Sequence, residues 1–162
     1  MLREFRVNCA DAPAADFKAE VELKTGMGVV KDYAKKTLKL PTAATDKNIF
    51  VVQKVPVPEG VEASRVNFSD YEDAFNTVAA GEGAVAYSYR PDSAFGTDQF
   101  DASTVKTENA GKCVNVGTDG KWVVSSTDTK YIFTGLYNDA GHVLARIEVV
   151  EAPAAAASST GD

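Results

Sequence analysis

The stretch YIFTGLYNDAGHVLARIEVV, residues 131–150, reads as two strands folded around one turn. Asn138-Asp139-Ala140-Gly141 supplies turn residues between two apolar runs. After the turn, Val143, Ala145, Ile147 and Val149 alternate with Leu144, Arg146 and Glu148 before the run continues into Val150. A period of two predicts a half-buried strand, because successive side chains of a strand point to opposite faces.

The same signals recur upstream. KCVNVGTDGKWVVSS (112–126) predicts a second hairpin, with Asp119-Gly120 as its turn chemistry. AVAYSY (84–89) predicts a strand, and NIFVVQKV (48–55) a central strand because it is short and densely β-branched. VPVPEG then ends that run, since proline cannot donate to a ladder. TGMGVVKDYAKKTLKL opens on two glycines, a turn or bulge before another strand. FKAEVELKTG alternates Phe17, Ala19, Val21 and Leu23 with charged residues and predicts one half-buried strand.

The best helical segment is SDYEDAFNTVA (69–79). Ser69 and Glu72 stand at capping-box spacing, and Tyr71, Phe75 and Val78 share one face. Many short strands and one short helix predict an all-β fold, a compact β-barrel or β-sandwich with extended terminal arms. Residues 1–20 read as an N-terminal arm, 21–150 as the β domain, and EAPAAAASSTGD (151–162) as a low-complexity tail with little apolar surface to bury.

At 162 residues the chain has enough length for one well-buried domain. Its net charge of −6 would repel duplex nucleic acid on average, so no nucleic-acid partner is expected. No apolar run approaches the roughly 18 residues of a membrane span, so no membrane partner is expected either. The start, MLREFRVNCADAPAADF, carries Arg3, Glu4 and Arg6 and lacks the apolar core of a secretory signal. Cys9 and Cys113 could form one bridge by count. Without a secretory signal the expectation is two reduced thiols packed as small hydrophobes.

Signatures of chemistry are sparse. The lone histidine, His142, falls in a predicted turn, and TGMGVV lacks the third glycine and following helix of a nucleotide loop. The segment SYRPDSAFGTDQFD (88–101) concentrates Asp92, Asp98 and Asp101. Their spacing and the place of Gly96 do not fit an EF-hand, which leaves only a looser surface calcium site open. The segment reads as a long loop whose Phe95 and Phe100 either pin it to the core or anchor a neighbouring subunit. No catalytic, cofactor-binding or metal-ligating residue is assigned, and an enzyme is not expected. The candidate partner contacts are the basic cluster Lys31, Lys35, Lys36 and Lys39, together with Arg90, Asp92, Phe95 and Phe100. The cluster reads either as a solvated strand face or as a docking patch for an acidic protein.

LPTAATDKNIFVVQKV, AGEGAVAYSYRPDSAFGTDQF and GLYNDAGHVLARIEVV resemble small structural proteins of tailed bacteriophages, the head decoration or cement proteins encoded near the major capsid protein. The resemblance spans roughly residues 25–150. It implies a virion protein on the capsid exterior, assembled in the host cytoplasm, that clamps shell subunits. The partner it implies is the major capsid protein, with self-association into a symmetric cluster. An acidic chain suits the outer surface better than a DNA-lined interior. The alternatives are a head–tail connector or tail component, and a carbohydrate or cell-surface module. The latter needs Trp122 and Tyr137 on one open face.

Overall fold

The structure, a computed structural model, describes residues 1–7, 16–44, 46, 48–54 and 73–151. Its fold is mainly β. A closed barrel is built from β2 (Phe17–Ala19), β4 (Gly28–Asp32), β5 (Thr37–Lys39), β6 (Phe50–Lys54) and β8 (Gly83–Tyr87), in the order β2-β5-β4-β6-β8. Beside it lies a four-stranded antiparallel sheet of β1 (Leu2–Arg6), β9 (Ala94–Thr97), β12 (Tyr131–Asp139) and β13 (His142–Val149), in the order β1-β9-β13-β12. Two short ribbons complete the architecture: β3 (Leu23–Lys24) with β7 (Thr77–Val78), and β10 (Val114–Val116) with β11 (Trp122–Val124).

Two cores result. One fills the barrel with Ala19, Val29, Leu38, Val52, Ala84 and Ala86, joined by Leu23 and Val78 of the first ribbon. The other lies between the sheet, the β10–β11 ribbon and the barrel's outer wall, around Tyr89, Phe95, Trp122, Tyr131, Phe133 and Ile147. β6 serves both: Val51 points into the second core and Val52 into the barrel, and neither is exposed. A strand covered on both faces needs consecutive apolar residues, which Val51 and Val52 provide.

The 131–150 hairpin forms as read. Asp139 pairs with His142 around a two-residue turn of Ala140 and Gly141, with φ of 51° and 92°. Asn138 Oδ1 accepts the Gly141 N–H at 2.8 Å and steadies this left-handed pair. The Asp119-Gly120 hairpin also forms, with a wider loop than a tight turn, because Val116 and Trp122 are the last paired residues.

Several expectations are corrected. FKAEVELKTG is two strands: the chain bends after Ala19, and Val21 faces solvent. Of the predicted helix, residues 69–72 lie outside the described residues. The rest is one turn, α1 (Asp73–Asn76), before Thr77–Val78 joins β3 and buries Val78. The N-terminal arm is a strand where it is described. Met1 and Leu2 are buried, and β1 pairs with β9. Residues 8–15 of that arm and 152–162 of the tail lie outside the described residues. The supposed long loop 88–101 contains β9, hydrogen-bonded on both sides. Gly96 obscured it in sequence, but in the sheet the bare glycine leaves room for a ring to lie close above it. A Cβ there would meet the Phe5 ring at 3.0 Å and Leu144 at 3.4 Å.

Barrel and sheet meet at the turn Thr25–Gly28. The Gly26 carbonyl accepts the Trp122 indole N–H at 3.0 Å and the Thr97 hydroxyl at 3.2 Å, while the Gly26 N–H donates to Val52 O at 2.8 Å. The Met1 ammonium donates to Thr25 O (2.9 Å) and Asp98 Oδ1 (2.6 Å). Burial lowers the pKa of this ammonium below 8.0, and Asp98 opposes the shift.

Candidate docking surface

The aspartates of 88–101 do structural work. Asp98 binds the Met1 ammonium. Asp101 accepts the Ser103 N–H and hydroxyl, each at 2.8 Å, and these bonds hold its carboxyl below 3.8. Asp92 occupies a left-handed turn position, φ 70°. Its N–H donates to Val149 O, and its carbonyl accepts from Arg6 Nε. Among the described residues, no group of three His, Cys, Asp or Glu is placed to hold a metal ion.

The other residues singled out from sequence scatter. Phe95 is 0% exposed, stacked on Tyr89 and tilted against Trp122, so it offers a partner no surface. Phe100 is half-buried against the same core. Arg90 is exposed beside the turn. The four lysines do not form one patch. Lys31 points over the Phe17 and Phe50 rings at the barrel end, and burial lowers its pKa. Lys39 pairs with Asp32 at 3.5 Å. Lys35 and Lys36 are exposed at the β4–β5 turn, where Asp32 accepts the Lys35 N–H. Trp122 is buried, so it cannot share an open face with Tyr137 as a sugar platform would require. Cys113 is a free, half-buried thiol; Cys9 lies outside the described residues.

A surface the sequence reading missed emerges on the outer face of the sheet. Most large apolar side chains left exposed among the described residues sit on or beside the sheet's strands: Phe5 and Tyr137 on this face, Leu136 and Val143 on the opposite face beyond the core, and Val7 and Val150 just past strand ends. Register explains the arrangement. Arg3, Gly96, Arg146 and Gly135 lie side by side across the four strands, on the face opposite Phe95, Ile147 and Phe133. The Phe5 ring lies over Gly96, where no Cβ obstructs it. Tyr137 meets it edge-on at 5.2 Å, and the Arg146 guanidinium lies 5.2 Å from its centroid. Beneath them Leu144 is fully buried although it belongs to the solvent-side set of β13. Arg3 and Asp139 close one side with an ion pair of 2.6 Å, and Arg146 reaches Glu148 at 3.3 Å.

Phe5 and Tyr137 remain 36% and 42% exposed. Aromatic rings with an arginine on a rigid sheet are the residue types that dominate protein–protein affinity. One signal was legible beforehand: Leu144 among the polar set of its strand, and the adjacent Leu136-Tyr137, break strict alternation and put apolar groups on both faces. No family model, curated protein or solved structure matches the chain.

Proposed function

We propose that the chain is a non-enzymatic virion structural protein that binds the outer surface of a phage capsid and stabilises the shell by bridging its subunits. The observation that carries this reading is the outer face of the β1-β9-β13-β12 sheet. There Phe5, Tyr137 and Arg146 stand exposed on a surface fixed by four hydrogen-bonded strands. The resemblance to decoration proteins supplies the partner, the major capsid protein. A symmetric cluster of copies would repeat one such contact across a lattice. The carboxylates of Asp98 and Asp101 are occupied in holding the fold together, which supports a binding role over a catalytic one.

The test is co-sedimentation with capsids assembled from the shell protein encoded beside this chain. Saturable binding in proportion to the lattice, with a raised capsid melting temperature, is the expected result. No binding at micromolar concentration would remove the reading and leave a head–tail connector role to be tested by ring formation.

A further inference from the structure

We propose that the free edge of β12, Thr134–Asn138, docks an extended segment of another protein as an added strand, with apolar side chains over Leu136 and one acidic side chain reaching Arg146 across Gly135. The inference rests on the sheet being the docking element and specifies the partner's chemistry.

β12 is the last strand of its sheet. Its first residues are covered: the Phe133 N–H donates to Lys112 O at 3.0 Å, the Gly111 N–H donates to Phe133 O at 2.7 Å, and Cys113 bridges to Ile132. A bulge at Thr134 follows, and from there the edge pairs with nothing but β13 among the described residues. Every second residue of such an edge turns a backbone N–H and C=O outward, a template for another strand. Natural edges are commonly guarded by lysine, proline, an inward charge or a bulge. The sequence TGLYN contains none of the first three, and its bulge falls at Thr134, before the paired run 135–138.

Both faces of the edge suit an occupant. Leu136 is 41% exposed, and Val143, diagonal to it on the same side of β13, is 47% exposed. Together they form an apolar strip that the core does not reach. On the outer side Gly135 pairs with Arg146, and a Cβ at Gly135 would meet nothing within 4 Å. That gap lets a side chain from an added strand pass over Gly135 to the guanidinium, whose ion pair among the described residues is the 3.3 Å contact to Glu148. A carboxylate matches this edge, and a lysine would be repelled. The occupant is therefore an extended segment with alternating apolar residues and one Asp or Glu on the opposite face.

The experiment pans a displayed library of random 12-residue peptides against the full chain and maps selected peptides by amide NMR shifts. Expected are sequences alternating apolar residues with an acid, shifts centred on 134–138, and binding about tenfold or more weaker in Leu136→Lys, with its melting temperature unchanged. In Arg146→Gln the preference for acidic over neutral peptides should fall from about tenfold toward one. Failure to enrich alternating sequences, shifts mapping elsewhere, or an unchanged acid preference in Arg146→Gln would overturn the proposal. So would a concentration-dependent dimer abolished by Leu136→Lys, since the edge would then serve a second copy. Peptide binding without capsid co-sedimentation would keep this inference and remove the capsid reading. Capsid binding unaffected by Leu136→Lys would do the reverse.

Discussion

Gly28→Ala should destabilise the protein through a single contact between barrel and sheet core. Gly28 is buried on β4, and a Cβ built there overlaps Val116 Cγ2 and lies 2.9 Å from Val116 Cγ1. Neither side can yield easily. Gly28 pairs with Val51 and its N–H donates to Gly120 O at 2.9 Å, while Val116 pairs with Trp122 and is fully buried. Overpacking of this kind costs about 1–3 kcal/mol. Alanine recovers roughly 0.5–1 kcal/mol of the backbone entropy that glycine loses. The net loss is then about 0.5–2 kcal/mol, a fall in Tm of roughly 1–8 °C for a chain of this size. Val116→Ala alone should lose about 1.5–3 kcal/mol of burial. In the double variant the new methyl occupies the space the valine vacated, so the losses should fall short of their sum by about 1 kcal/mol or more. Urea unfolding followed by fluorescence of Trp122, the only tryptophan, measures all four corners of the cycle. A neutral Gly28→Ala, or losses that simply add, would refute the contact as described.

Phe95→Ala should cost about 3–5 kcal/mol in urea unfolding; Phe100→Ala, from a half-buried site, should cost clearly less, and equal losses would contradict their placement. Phe5→Ala combined with Tyr137→Ala should lower capsid affinity at least tenfold while unfolding changes by only about 1–2 kcal/mol; a wholesale loss of stability would make the pair a core element. Asp101 is held below 3.8, so its stabilising contribution is complete above that pH and disappears as pH falls through the lowered value. Asp101→Asn should accordingly flatten the acid side of the urea-midpoint profile between about pH 5 and about pH 2, and an unchanged profile would remove Asp101 from the acid response. Reversing Lys35 and Lys36 to Glu tests whether the exposed β4–β5 turn contributes to docking: unchanged capsid binding and salt dependence would confine docking to the sheet.

What was legible in the sequence was local. The 131–150 hairpin, the strand at 50–54 and the β class follow from alternation and turn residues, which act over a few positions. β1 and β9 were not legible, because their evidence is nonlocal. LREFR is too short and charged to read as a strand until Phe95 and Gly96 lie beside it. The choice between core pin and partner anchor at Phe95 was not legible for the same reason: the rings around it, Tyr89 and Trp122, with Tyr131 beyond, come from separate parts of the chain. The lysine cluster is a different case. A run of like charges in sequence becomes two strands and a turn, which send Lys31 and Lys39 to opposite faces of the ladder.

The sharing of β6 between two cores has a consequence for how the molecule opens. Val51 and Val52 are adjacent, so one core cannot be exposed by peeling that strand away without exposing the other. The Thr25–Gly28 turn ties the same strand to Trp122 and Thr97. Separate melting of barrel and sheet is thereby suppressed, and the slowest-exchanging amides should cluster around Val52, whose N–H donates to Met27 O at 2.9 Å. The outward side of the 134–138 edge stands apart from that unit: the amides turned away from β13 can exchange, and a guest strand can come and go there, without opening either core.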